Sequence, residues 1–177
     1  MFTDHESCER CDFVWATTSR DVALERIARA IDQFKEVIEG AGGLGLVRPT
    51  PDRWSIVEYA GHLRDALLSM RERIILASIL ETPTGTPIFR DERITLGFSR
   101  LDTSSEVAGE LTMAGGLFVK TVLSLDESFE SRTLLYSPLD HAPTTIGWVI
   151  AQGAHECVHH LSDVVENLDL LGGNARS

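Results

Sequence analysis

His155-Glu156-Cys157-Val158-His159-His160-Leu161-Ser162-Asp163 is the stretch on which the reading of this chain turns. It lies inside an apolar-periodic run from Thr145 to Leu171 that Gly172-Gly173 ends, so a long helix is predicted there. His155 and His159 stand four apart and therefore share one helix face, one turn above the other. That spacing lets two imidazoles reach one metal ion, as in helical zinc sites of the H-E-x-x-H kind. At about 100° per residue, with His155 as zero, Ile150, Ala151, Val158, Leu161, Val164, Val165 and Leu168 fill an arc from about 180° to 320°. His155 and His159 sit just past one edge of it, and His160 falls away from it at about 140°.

Two histidines need a third ligand, and the chain offers His62 in a second helical pattern opening at Ser55. Around His62, Tyr59, Leu63, Ala66, Leu67, Met70 and Ile74 fill an arc from about 40° to 160°, again with the histidine at the margin. Three histidines from two helices would leave coordination positions open, as a catalytic metal requires. The expected ligand set is thus His62, His155 and His159. Zinc is the first expectation, with nickel, iron and copper also compatible with imidazole.

Glu58 lies one turn before His62 and is the one catalytic candidate among the nearby acids. Its competing role is local: Ser55-x-x-Glu58 reads as a capping box. Asp65 and Asp163 follow histidines by three or four residues and either orient an imidazole or face water. Glu156 as a metalloprotease base is rejected, because it lies about 100° from His155 and the short tail supplies no further ligand. Arg53 and the Arg90–Arg93 stretch are read as surface arginines, with attraction of an anionic substrate as the alternative.

The rest of the pattern is helical. Helices are predicted near Ser19–Glu39, Ser55–Leu80, Thr103–Leu125 and Thr145–Leu171, the third opening on the capping box Thr103-x-x-Glu106 and continuing through Gly115-Gly116. Glycines after Glu39 suit a left-handed cap. No alternating stretch demands a sheet. Four such helices in 177 residues make an all-α four-helix bundle in a single domain, residues 1–177, with residues 1–18 as an N-terminal extension.

A formal net charge of −11 at pH 7 argues against nucleic acid or an anionic membrane surface as partners. No signal-peptide pattern opens the chain, and no apolar stretch is long enough to span a bilayer, so a cytoplasmic location is expected. There a disulfide framework is not expected of Cys8, Cys11 and Cys157. Cys8-x-x-Cys11 has the spacing of a zinc knuckle or redox pair. With His5 the one local residue to join it, it is read as a terminal turn and, secondarily, as a fortuitous metal trap. Cys157 is placed with the apolar face as an inert core residue.

Trp54-Ser55-x-x-Glu58-x-x-x-His62-Leu63-x-Asp65, paired with His155-Glu156-x-x-His159-His160-x-x-Asp163 about ninety residues on, resembles the DinB/YfiT-like family. The resemblance spans essentially the whole chain and implies an up-down-down-up helix order with a three-histidine metal site on His62, His155 and His159. Relatives include thiol-dependent transferases and isomerases that use low-molecular-weight thiols such as mycothiol or bacillithiol, and one described as a metal-dependent hydrolase. It therefore implies a metal-dependent transferase or hydrolase acting on a small electrophilic molecule, with a low-molecular-weight thiol as cosubstrate. The alternative is a non-catalytic metal-binding or stress-response protein. A homodimer is the expected assembly. The Cys8/Cys11 segment lies outside the family pattern.

Overall fold

The computed structural model describes residues 7–174, so His5 lies outside the described residues. Among the described residues there are five α-helices: α1 (Arg20–Ala41), α2 (Ile56–Ile79), α3 (Arg90–Thr95), α4 (Ser104–Leu123) and α5 (Ile146–Asn174). The capping boxes read from sequence start two of them. Ser55 Oγ accepts from the Glu58 amide while the Glu58 carboxylate accepts from the Ser55 amide, and Thr103 and Glu106 repeat the arrangement. Helix α1 ends where Gly42 takes a φ of 51°, a conformation that costs glycine little. The six residues of α3 form a short helix outside the four predicted from the sequence. Asp91 and Glu92 stand in its first turn and Arg93 in its last, which suits the helix dipole.

Helices α1, α2, α4 and α5 form the bundle. Each of α1 and α2 packs against both α4 and α5, so α1 and α2 face each other across the diagonal. Helix directions follow from contacts at the ends. Arg20, opening α1, donates to the carbonyls of Val122 and Leu125 at the end of α4. Arg53, just before α2, bonds Asn167 near the end of α5, while Arg132, ahead of α5, donates to Ala77 at the end of α2. Arg64, near the start of α2, pairs with Asp102 and Glu110 at the start of α4, so α2 and α4 run one way and α1 and α5 the other: up, down, down, up. The parallel α2–α4 pair needs a long crossover, and residues 80–103 supply it.

Fully buried Phe34, Phe118, Leu67 and Met70 fill the centre. A Cβ on Gly115 would overlap Ile31 Cδ1 of α1, so any larger residue there must displace that side chain. Its neighbour Gly116 faces open space. The connection before α5 contains a two-residue antiparallel pair, β1 (Thr133–Leu134) with β2 (Thr144–Thr145), too short to show as alternation in sequence. Buried Arg73 ties this connection to the crossover, donating to the carbonyls of Tyr136 and Thr86 and lying 4.3 Å over the Tyr136 ring. Among the described residues no helix is long and apolar enough to cross a membrane.

Candidate metal centre

The buried face of α5 is not the one its apolar residues outline. Gln152, His160, Asp163 and Asn167 are buried polar residues, whereas Val165 is 44% exposed. On the wheel that has His155 at zero, the buried set Gln152, Val149, His160, Val164, Cys157 and Ala154 runs from about 60° to 260°. His160, at about 140°, is inside this face rather than away from it. Apolar character mis-set the angle because polar side chains occupy much of the buried arc.

This rotation divides the expected ligand set. His62, on α2, meets Glu156 and His160, with the three ligand atoms within 4.8 Å of one another. His62 Nε2 is 3.7 Å and His160 Nε2 3.2 Å from Glu156 Oε2. His155 and His159 lie on the adjacent face, grouped with Cys8 and Cys11 of the N-terminal segment. Among the described residues no group joins His62 to His155 and His159. Glu156 and His160 are themselves an i, i+4 pair, so two such pairs stand side by side on α5. Sequence spacing alone favours neither.

The first cluster is ordered from behind. His160 Nδ1 is 2.8 Å from Asp163 Oδ2, which fixes the ring and leaves Nε2 toward Glu156 and His62. A further grouping of His159, His160 and Asp163 reflects this same contact, with His159 Nε2 at 3.9 Å from Asp163. Asp163 is in turn held by Arg10 of the N-terminal segment. Gln152 Nε2 donates to Glu156 Oε1 at 2.7 Å, leaving Oε2 for the cluster, and its own Oε1 accepts from Trp15 Nε1. His62 Nε2 is buried with no hydrogen-bond partner.

Electrostatics follow from these contacts. Burial penalises a charged His160, but its hydrogen bonds to Asp163 and Glu156 outweigh it and lift the ring to about 9. Burial likewise opposes the Glu156 anion, yet His160 and His62 hold the carboxyl well below its ordinary range. Burial pushes His155 down to about 4 and lowers His159 as well, so both are neutral at ordinary pH. The unpartnered His62 nitrogen, Glu156 Oε2 and the oriented His160 ring, once it releases its proton, form a donor set that fits a divalent cation. Two histidines and one glutamate are also a donor set of catalytic zinc, with a fourth position open.

Other residues singled out from sequence have local duties. Glu58 closes its capping box and pairs with Arg48, whose Nε donates at 2.7 Å. Asp65 binds Arg64 and Arg93. Arg53 is committed to Asn167, Asp163 and Glu166. Cys157 is fully buried, which raises its thiol. Beside the clusters lies a cavity of about 910 Å³ whose wall includes Trp15, Tyr136, Trp148, Gln152 and His155.

The fold and this histidine–carboxylate cluster define a helical bundle with a candidate metal centre between α2 and α5. The chain belongs to the DinB superfamily, whose sequence model matches residues 26–164. Its structure is similar to YfiT from Bacillus subtilis, described as a probable metal-dependent hydrolase with an unusual four-helix bundle topology. The TM-score is 0.79 at 17% identity, over 97% of this chain and 94% of that one. A conserved protein from Enterococcus faecalis is similar at a TM-score of 0.64 and 16% identity, over 86% of this chain and 96% of that one. No curated protein sequence gives a significant match. Family and likeness together establish the four-helix bundle read from the sequence.

Proposed function

We propose that the protein is a metal-dependent hydrolase of a small molecule, with the metal held by His62, Glu156 and His160. The observation that carries this reading is the buried, unpartnered His62 Nε2 beside Glu156 Oε2 and the Asp163-oriented His160. A divalent cation there would supply Lewis acidity, making a water or thiol a stronger acid and polarising an acyl oxygen. The protein's own residues do the rest. Asp163 fixes the His160 tautomer and Gln152 restrains Glu156; Gln152 also lines the cavity, which is within the size range of small-molecule pockets and is the candidate substrate space. Use of a low-molecular-weight thiol in place of water is the transferase form of the same proposal, supported by the family resemblance.

The resemblance also supports a rival ligand set, His62, His155 and His159. Metal content after His160→Ala and after His155→Ala, each made in a Cys8→Ser/Cys11→Ser background, separates the two, because each set contains only one of these residues. Activity is tested by incubating zinc-loaded protein and apoprotein with ester, amide and lactone panels, with and without a small thiol. Metal-dependent turnover that His160→Ala abolishes supports the proposal. A loaded protein inert across the panels favours the non-catalytic metal-binding reading.

A further inference from the structure

The residues left over from the first cluster form another. Cys8, Cys11, His155 and His159 place four ligand atoms within 4.8 Å of one another. Both ring nitrogens of His155 are buried without a hydrogen-bond partner, although the ring lies among Phe13 and Trp15 at centroid distances of 5.4 and 4.5 Å. Packing explains where the ring sits but leaves two polar atoms unsatisfied, a cost that a ligand would remove. Cys8 Sγ is 3.5 Å from His159 Nδ1. Bonds of about 2.3 Å to sulfur and 2.0 Å to nitrogen at a tetrahedral centre require a separation of about 3.5 Å.

The segment carrying the cysteines is shaped for this. Cys8 N donates to Phe13 O and Asp12 N to Cys8 O, each at 2.8 Å, and Asp12 takes a φ of 54° to close the loop. Both thiols are thereby turned toward α5. From these observations we propose that Cys8, Cys11, His155 and His159 form a closed Cys2His2 zinc site that clamps the N-terminal segment across α5. Two thiols release their protons to solvent on binding, and the two thiolates neutralise the dication. Four protein ligands fill a tetrahedral shell, so the site is structural and leaves no position for substrate. Its effect reaches the neighbouring cluster through Arg10 on Asp163 and Trp15 on Gln152. Only this last link rests on the proposed hydrolase centre; the zinc clamp stands without it.

The test uses the full chain, purified without a tag under reducing conditions and reconstituted with cobalt(II). Wild type should show the near-ultraviolet thiolate-to-cobalt charge-transfer band and the intense visible bands of tetrahedral cobalt. Cys8→Ser with Cys11→Ser should lose the thiolate band and one equivalent of metal, while His62→Ala with His160→Ala should keep that band. Removing metal from wild type should also speed amide exchange in residues 8–15 by roughly tenfold or more, as the segment detaches. A wild-type cobalt protein without the thiolate band overturns the proposal, whatever the variants do. So does full metal content in the double serine variant. Loss of metal on replacing His62 and His160 with the thiolate band intact bears on the hydrolase centre alone.

Discussion

Asp163→Asn keeps the shape of the side chain behind His160 and removes its charge. Asp163 Oδ2 lies 2.8 Å from His160 Nδ1, and its side chain is 4% exposed, so solvent screens the interaction little. Asparagine can still accept from Nδ1–H through its amide oxygen, so the ring should stay in place while the imidazole becomes a weaker donor. Loss of such an outer partner typically weakens metal binding about 10–100-fold, which is roughly 1.4–2.7 kcal/mol. The assay is competition with a chromophoric chelator near neutral pH, carried out in a Cys8→Ser/Cys11→Ser background so that one class of site is read. There His160→Ala should abolish binding and His155→Ala should leave it unchanged. If Asp163→Asn binds zinc as tightly as its parent while His160→Ala does not bind, the orientation argument fails. If His155→Ala abolishes binding and His160→Ala does not, the three-histidine set holds the metal.

Further outcomes test the scaffold. Glu58→Gln should retain metal and cost under about 1 kcal/mol in urea unfolding, since glutamine also serves a capping box and the Arg48 pair is partly exposed. Burial raises the Glu58 carboxyl, but Arg48 and the Ser55 amide hold it below its ordinary value. Its contribution is therefore complete above an unfolded value of about 4.3 and lost as pH falls through the folded one. The glutamine variant should then lose less stability than wild type below about pH 4, and parallel acid limbs would refute this. Gly116→Ala should stabilise by about 0.5–1 kcal/mol because its Cβ meets nothing, whereas Gly115→Ala must displace Ile31 and should rank below it in melting temperature. The reverse ranking would show that α4 does not approach α1 as described. Asn167→Ala removes a buried side chain that donates to Trp54 O at 2.7 Å and accepts from Arg53, and should cost about 1–3 kcal/mol. A cost below about 0.5 kcal/mol would mean that water replaces both bonds.

The bundle was legible because its signals are local. Ser55/Glu58 and Thr103/Glu106 announce helix starts within four residues, Gly42 marks an end, and a 3.6-residue apolar period needs no partner to be seen. His62 and the histidine-rich stretch of α5 could be picked out as metal chemistry for the same reason: an i, i+4 pair is a property of one helix. Which pair serves which cluster is not. His155/His159 and Glu156/His160 are adjacent faces of the same helix, and only the packing of α2 against α5 brings His62 to the second. The apolar wheel pointed elsewhere because Gln152, Asp163 and Asn167 lie in the buried arc, Gln152 and Asn167 satisfied by Trp15 and Trp54 from elsewhere in the fold and Asp163 by His160 of the same helix. Cys8-x-x-Cys11 is the turn its spacing suggested, but the histidines it lies beside are about 150 residues away along the chain. The sequence by itself determined the helices and pointed to histidines as candidate ligands; which side chains come together depends on contacts between segments distant in sequence, which only the tertiary structure decides.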